Sequence, residues 1–364
     1  MAGTPRILQE LCSLPTAPFM EDRVIGYVSQ FVRERPRLRL SRDEAGNLLI
    51  ELPGKKRGLA RWVFGAHMDH PGFVAKRMLD GKTLEADFRG SVLAEYVGHA
   101  KVRFFAGNRE IPGQVLKVTG QEDKKWVRKV HVQVREDVPA GVLGMFDQGE
   151  GRIKNGKFYC RACDDVAGAA AALTLLDQMH RTPPAATVAV LLTRAEEEGF
   201  IGAIAASLAP KLLRKTDRII AIETSAMQPY APQGAGPIIR VGDRTSVFNS
   251  SLTYFLTQQA EKLKKRTPTF QYQRALMPGG TCEATVYDVY GFLASSICVA
   301  LGNYHNTDRV AGKMGPEYVD VNDWNNMVKL FVAIARNGHE YREGHHTLRA
   351  RIEKRFEKVK DLLY

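Results

Sequence analysis

The chain has 364 residues, of which 44% are hydrophobic and 25% are charged. This composition is that of an ordinary globular protein, and it excludes a disordered chain, a collagen and a small disulfide-stapled scaffold. Lysine and arginine outnumber aspartate and glutamate by 52 to 40, so the formal net charge is +12. The basic residues are nevertheless spread along the sequence without interleaved aromatic residues, so we predict no nucleic-acid partner.

Hydropathy and cysteine content give a first expectation about location. The sequence contains no apolar run of about 18 residues, and its first segment lacks the basic flank and apolar core of a secretory signal. The five cysteines are an odd number, which suits reduced thiols better than a disulfide framework. We therefore expect a cytoplasmic protein without a membrane partner.

Strand-like and helix-like patterns alternate along most of the chain. Short apolar runs predict buried strands at 62–66, 187–192, 218–222 and 296–301. Apolar residues at helical spacing predict helices at 23–32, 165–179, 202–213, 248–263 and 321–335. This alternation predicts an α/β fold, with a mainly parallel central sheet and helices on both of its faces.

One internal stretch, 80–157, has a different pattern. It consists of short alternating segments separated by glycine, asparagine and proline, which is typical of antiparallel strands. We predict a small all-β domain inserted into a larger domain formed by 1–79 plus 158–364. The insertion would limit access to a site or mediate oligomerisation.

The C-terminal segment predicts one more helix. Apolar residues recur there at spacings of three and four, namely Leu348, Ile352, Phe356, Val359 and Leu363. This spacing places them on one face of an amphipathic basic helix. We expect this face to pack against the body of the protein or against a partner subunit.

Ionisable residues follow each of the four predicted strands. They are His67 and Asp69, then Glu196, Glu197 and Glu198, then Glu223, and finally His305, while Asp164 and Asp165 open an alanine-rich helix. Taken singly, each has an ordinary explanation, such as a hydrogen-bonded pair, a helix N-cap or exposed charge at a helix start. Ligands of open α/β sheets bind at the carboxyl ends of the strands, so we expect these side chains to meet.

Such a gathering of carboxylates predicts bound metal. Burying like charges costs several kcal/mol per ion unless cations neutralise them. Two histidines and three carboxylates form a ligand set that Zn²⁺ accepts and that Co²⁺ or Mn²⁺ can also occupy. If one carboxylate bridges, five ligands serve two ions and leave positions open for water, which is a recurrent hydrolytic arrangement. We therefore predict two divalent ions, zinc being the first choice, with a neighbouring carboxylate as general base.

The order and spacing of these motifs resemble those of a known family, the co-catalytic di-metal aminopeptidases of the tetrahedral and glutamyl aminopeptidase group, within the zinc exopeptidase clan. The likeness covers nearly the whole chain and includes GAHMDHPGF, RACDDVAGAAAAL, AEEEGFIGA, AIETS, PGGTCEAT and GNYHNTD. It implies a zinc-exopeptidase-like fold in which a β domain is inserted between the first two metal motifs. It also implies peptide substrates and homo-oligomers.

The resemblance further implies which residues hold each ion. His67, Asp164 and Glu223 match the ligands of one ion. Asp164, Glu197 and His305 match the ligands of the other, so that Asp164 would be the bridge.

Two further residues match catalytic positions of the family. Glu196 matches the general base, and Asp69 matches the carboxylate that orients His67, a pairing with general precedent. The family also implies a cis peptide bond between Asp164 and Asp165. The implied activity is a metal-dependent aminopeptidase that removes N-terminal residues from peptides by hydroxide attack at a dinuclear site.

Four positions depart from the family pattern. Glu223 replaces the usual aspartate, Val166 replaces a common arginine, and Cys282 interrupts the usual Gly-Thr-Asp. His70 stands where an acidic residue is frequent, and we expect it to hydrogen-bond rather than to bind metal. Because of these departures, the resemblance does not indicate which side chain the substrate carries.

Two alternatives to an aminopeptidase remain. One is a deacylase of the same clan acting on N-acyl amino acids, which would require a blocked amino group where an aminopeptidase requires a free one. The other is a binding or assembly protein with a weakened metal site. Cys160 and Cys163 form a C-x-x-C pair, but no second pair accompanies it, so we predict buried free thiols.

Overall fold

A computed structural model describes residues 5–123, 125–209, 211–344 and 346–363. The strands are β1 (Arg39–Arg42), β2 (Leu48–Leu52), β3 (Trp62–His67), β4 (Gly72–Met78), β5 (Thr83–Arg89), β6 (Lys101–Ala106), β7 (Arg109–Glu122), β8 (Trp126–Val134), β9 (Leu143–Phe146), β10 (Arg152–Lys154), β11 (Lys157–Cys160), β12 (Val188–Thr193), β13 (Arg218–Ala226), β14 (Ile238–Gly242), β15 (Gln273–Leu276), β16 (Leu293–Gly302), β17 (Thr307–Asp308), β18 (Lys313–Met314) and β19 (Glu317–Asp320). The helices are α1 (Arg6–Cys12), α2 (Asp22–Arg33), α3 (Ala94–Val97), α4 (Val166–Met179), α5 (Ile201–Leu208), α6 (Ser250–Arg266), α7 (Glu283–Val289), α8 (Val321–Asn337) and α9 (His346–Glu357).

The central sheet is mixed. Its strand order is β1-β2-β12-β3-β13-β16-β19-β11-β10, with β14 paired to β16 and β15 to β14. The four middle strands, β12, β3, β13 and β16, are parallel. The flanking strands pair antiparallel, except that β15 pairs parallel with β14. The expectation of a mainly parallel sheet therefore needs correction. At both edges, short turns join β1 to β2 and β10 to β11, and strands joined by so short a turn can pair only antiparallel.

Helices cover both faces of the middle strands. Alternate residues of β3 point to opposite faces, so Phe64 packs in the apolar cluster of α1, α2, α4, α6 and α8. Val63, one residue earlier, packs with α5 and α7. Every residue of β3 is buried, which explains why its sequence reads as one apolar run rather than as an alternating pattern.

A closed barrel of six strands, β4-β5-β8-β7-β6-β9, lies beside the central sheet. Its core contains the mutually packed rings of Phe73, Phe88, Phe104 and Phe146. The barrel strands extend from Gly72 to Phe146, so they begin before the expected boundary at 80 and end before 157. The β10–β11 hairpin has an alternating residue pattern like that of the barrel strands, which is why the sequence places it in the insertion. In the structure it belongs to the central sheet.

The predicted C-terminal helix is present as α9, but most of its predicted apolar face is exposed, while Leu348 is half-buried. Ile352 and Phe356 are 60% and 48% exposed. Of the two expectations for this face, contact with a partner subunit stays a prediction. In the described part of the chain, no helix combines the length and apolarity that crossing a membrane requires.

Candidate metal centre

The carboxyl ends of the parallel strands bring the predicted site residues together. His67 ends β3, the Glu196–Glu198 turn follows β12, Glu223 lies in β13, and His305 follows β16. Asp164 precedes α4, and the bond joining Asp164 to Asp165 is cis, as the resemblance implied. The side chains therefore meet because parallel neighbours present the same end to one edge of the sheet.

Asp164 lies between the two histidines. Its Oδ1 is 3.6 Å from Nε2 of His67, and its Oδ2 is 3.6 Å from Nε2 of His305. The hydroxyl of Thr224 donates a hydrogen bond to Oδ1 over 3.0 Å. Each carboxylate oxygen of Asp164 thus faces a different histidine, as a bridging ligand would.

Potential ligand atoms group into triads within 4.8 Å of one another. One triad is His67, Asp164 and Glu223, and another is Asp164, Glu197 and His305. These are the two sets that the resemblance implied. A third triad joins His67 to Glu196 and Glu197, so proximity alone does not separate the proposed base from the ligands.

Several atoms of this cluster are buried without a hydrogen-bond partner among the described residues. One is Oε1 of Glu223, and the others are Oε1 of Glu197 and Nε2 of His305, which lie 3.0 Å apart without the geometry of a hydrogen bond. Buried polar atoms normally find a partner, and those that do not call for an explanation. Lone pairs of carboxylate oxygens and of a neutral imidazole are donors that divalent cations accept, so the residues present fit a metal ion.

Electrostatics of the cluster shift the pKa values strongly. Burial raises the pKa of Glu223 to about 8, and repulsion from Asp164 contributes to the rise. Burial alone would lower the pKa of His67, yet the nearby Glu196 and Asp164 hold it well above its usual range. Protons thus take the place of cations in this acidic cluster, and binding of metal must release them.

Asp69 supports two parts of the site. Its carboxylate oxygens accept hydrogen bonds from the backbone N–H groups of Glu196 and Glu197, over 3.0 and 3.1 Å. Its carbonyl oxygen lies 3.1 Å from Nδ1 of His67. Because a carbonyl oxygen only accepts hydrogen bonds, Nδ1 is the donor, and Nε2 is the nitrogen that can bind a metal ion. The backbone carbonyl of Asp69 thus contacts His67. The carboxylate of Asp69, whose Oδ1 also lies 3.6 Å from Nδ1 of His67, holds the glutamate turn.

Left-handed backbone is concentrated in the two loops that carry Glu197 and His305. Ala195 and Phe200 flank the first loop with positive φ, and Asn303, His305 and Asn306 have positive φ in the second. Such conformations cost about 1–3 kcal/mol each in residues other than glycine and persist only where neighbours enforce them. The loops are therefore held in place by other parts of the molecule.

Glu317, in β19, is one of those supports, and sequence reasoning missed it. It is fully buried, and its Oε2 accepts from the backbone N–H groups of Cys163 and Asp164 over 2.7 and 3.1 Å. Its Oε1 accepts from the backbone N–H of His305 over 2.8 Å. The carboxylate of Glu317 therefore positions the backbone of two residues of the second ligand triad, Asp164 and His305.

Glu283 is a second buried acid that sequence reasoning missed. It lies at the start of α7, directly after Cys282, and its Oε2 accepts a hydrogen bond from the hydroxyl of Tyr287 over 3.3 Å. Burial raises the pKa of Glu283 to about 7. Its charge acts on Glu223 and raises the pKa of that carboxyl too, so Glu283 is one more acidic group beside the proposed ligands.

His70 is placed by two hydrogen bonds, as expected for a residue that is not a ligand. Its Nδ1 is 2.8 Å from the carbonyl oxygen of Asp164, and its Nε2 is 3.1 Å from the side-chain oxygen of Asn306. Cys160 and Cys163 are buried free thiols. Cys160 donates to the carbonyl of Cys12 over 2.8 Å.

Comparison with solved structures shows the same fold in archaeal peptidases. An aminopeptidase from Desulfurococcus kamchatkensis superposes with a TM-score of 0.77 at 22% identity, over 92% of this chain and 95% of that one. The TET1 peptidase of Pyrococcus horikoshii gives a TM-score of 0.74 at 19% identity, over 91% and 98%. A TET aminopeptidase from a marine sediment archaeon gives 0.75 at 16%, over 91% and 95%.

Sequence comparison assigns the family. Among proteins with curated descriptions, none matches the sequence. The family model of the M42 glutamyl aminopeptidases matches residues 46–330. The chain therefore belongs to the M42 glutamyl aminopeptidase family, and this membership supports a peptide hydrolase.

Proposed function

We propose that the protein is a metal-dependent aminopeptidase with a dinuclear site, and that it removes N-terminal residues from peptides. The observation that carries the proposal is the position of Asp164, whose two oxygens each lie 3.6 Å from a different histidine. Two ligand triads that share this one carboxylate are an arrangement for two ions. Family membership adds support, because the family is one of peptidases.

Five residues would hold the ions. His67, Asp164 and Glu223 would serve the first, and Asp164, Glu197 and His305 the second. This mixed nitrogen and oxygen set suits Zn²⁺ first, and Co²⁺ or Mn²⁺ as well. Bound divalent ions would polarise the scissile carbonyl and lower the pKa of water.

Glu196 would move the proton. Its Oε2 lies 3.9 Å from Nε2 of His67, beside the ligands, and its backbone is held by Asp69. Burial raises the pKa of Glu196 well above the usual value, which strengthens this carboxylate as a proton acceptor. Glu196 would take a proton from the attacking water and give it to the leaving amine, so the nitrogen departs neutral.

The barrel would contribute no metal ligand and no general base. We propose that the central sheet and its helices, predicted from the sequence at 1–79 plus 158–364, form the catalytic domain, and that the barrel insertion, predicted at 80–157, limits access or mediates assembly. The related TET1 peptidase is described as assembling into a tetrahedron or a large octahedral shell, which supports a homo-oligomer here. A cytoplasmic location suits the five buried free thiols.

A substrate panel combined with metal analysis tests the proposal. We expect elemental analysis of the metal-loaded protein to approach two ions per chain. The loaded protein should release single residues from short peptides with a free α-amino group and leave their N-acetylated forms intact. Cleavage of the acetylated series alone would favour the deacylase, and two bound ions without cleavage of any peptide would favour a binding protein.

A further inference from the structure

A short segment of the barrel touches both loops of the second ligand triad. The segment is Arg89–Ser91. Arg89 is the last residue of β5, and Gly90 and Ser91 follow it. The backbone N–H of Gly90 donates to Oε1 of Glu198 over 2.7 Å. The carbonyl oxygen of Ser91 lies 2.7 Å from Nδ1 of His305. Consecutive residues of the barrel thus bond to the turn that carries Glu197 and to the imidazole of His305.

The bond to Ser91 determines which nitrogen of His305 is free. A carbonyl oxygen only accepts, so Nδ1 of His305 must carry the proton that it donates. In the neutral imidazole, Nε2 then keeps its lone pair for a metal ion, and it lies 3.0 Å from Oε1 of Glu197. Hydrogen bonds of this kind to the far nitrogen fix the tautomer and ring orientation of metal-binding histidines.

Besides the bond to the imidazole, two hydrogen bonds hold the segment from outside the barrel: Glu198 accepts from Gly90, and Arg89 donates to the carbonyl oxygen of Pro18 over 2.6 Å. Gly90 has a φ of +95°, and a Cβ there would lie 2.9 Å from Cβ of Pro71, so glycine is required. Arg128 donates to the carbonyl of Gly90 over 2.8 Å, but Arg128 belongs to the barrel itself. Glu198 bonds to Gly90 from the catalytic loop, next to the proposed ligand Glu197.

We propose that Glu198 is a positioning residue for the second metal ion. By holding Gly90, it keeps the carbonyl of Ser91 against His305 and so links the loops of Glu197 and His305 through the barrel. The inference rests on the proposed dinuclear site. The first ion should not depend on this link, because Nδ1 of His67 is held by the backbone of Asp69.

Metal titration of three variants tests the inference. In Glu198→Ala, we expect calorimetric titration with Zn²⁺ to show one ion bound as in the wild type and the other weakened about 10- to 100-fold, as found for lost outer partners of metal ligands. Glu198→Gln keeps an oxygen acceptor for Gly90 without the charge and should restore most of the affinity. The matched control is Glu136→Ala, a glutamate just after β8 whose ion pair among the described residues is with Arg109, and this variant should bind as the wild type does.

Hydrogen exchange of the metal-free protein tests the link without any ion. In Glu198→Ala, exchange should accelerate in peptides containing Gly90 and His305, while peptides from β3 stay protected. Gly90→Ala should produce the same pattern through displacement of the segment. Unchanged exchange at His305, or equal weakening of both ions, would overturn the inference even if the wild type binds two ions. If the wild type binds fewer than two ions, the proposed dinuclear function is contradicted instead. The exchange result would still show whether Glu198 holds the loop of His305 in place through Gly90 and Ser91.

Discussion

Replacing Glu317 by alanine removes an acceptor shared by three buried backbone donors. These are the N–H groups of Cys163, Asp164 and His305. Each buried donor left without an acceptor costs about 1–3 kcal/mol, so three cost roughly 3–9 kcal/mol. Water entering the vacated space would satisfy some of them. We therefore expect the lower part of this range, a loss of about 3–5 kcal/mol in the free energy of unfolding.

Glutamine at position 317 provides the internal comparison. Glu317→Gln keeps one carbonyl oxygen, which can still accept from Cys163 and Asp164. Its NH₂ group would face the N–H of His305, leaving that single donor unpaired at a cost of about 1–3 kcal/mol. The expected order of stability is therefore wild type, then Glu317→Gln, then Glu317→Ala.

Urea unfolding of the metal-free proteins, followed by circular dichroism at one fixed protein concentration, measures this order. A fixed concentration is needed because the stability of the proposed homo-oligomer would depend on it. Glu150→Ala is the control, because the Glu150 side chain is 71% exposed and exposed substitutions change stability by about 0.5 kcal/mol or less. The reasoning is refuted if Glu317→Ala unfolds within about 1 kcal/mol of the wild type, or if Glu317→Gln is the less stable variant.

Two further predictions concern catalysis and pH. Glu196→Gln should abolish peptide hydrolysis with metal content unchanged, whereas Glu197→Gln should reduce occupancy of one ion; the reverse pattern in elemental analysis would exchange the roles of base and ligand. Because the pKa of Glu223 is raised to about 8, a proton competes with the first ion below that pH. Release of this proton alone should make metal affinity rise by up to about tenfold per pH unit between roughly pH 6 and 8. A titration series showing constant or falling affinity over this range would contradict the assignment.

Much of the site could be predicted because most of its ligands and its proposed base can be recognised from the local sequence. His67, Glu196, Glu197, Glu223 and His305 each follow or end an apolar run, and the edge where parallel strands end is a general property of α/β sheets. The structure accordingly groups His67 with Asp164 and Glu223, and Asp164 with Glu197 and His305. Their assignment as metal ligands stays a prediction until an ion is measured.

The residues that hold the ligand loops in place, Glu317 and Glu198, could not be recognised from the local sequence. Glu317 follows a proline and begins a four-residue strand that is unremarkable in sequence. Its role arises because β19 pairs antiparallel with both β16 and β11, which brings its carboxylate beside Cys163 and His305. Glu198 likewise resembles exposed charge until the barrel places Gly90 against it.

The sequence by itself determined what depends on short-range order: the apolar runs of the buried strands, the motifs at their ends, and the alternation of strand and helix. Tertiary structure alone decided the antiparallel flanks of the sheet, the barrel strands from Gly72 to Phe146, and the bonds that hold the ligand loops. The physical reason is distance along the chain. Gly90 and Glu198 are 108 residues apart, and only packing of the folded chain makes such donors and acceptors neighbours.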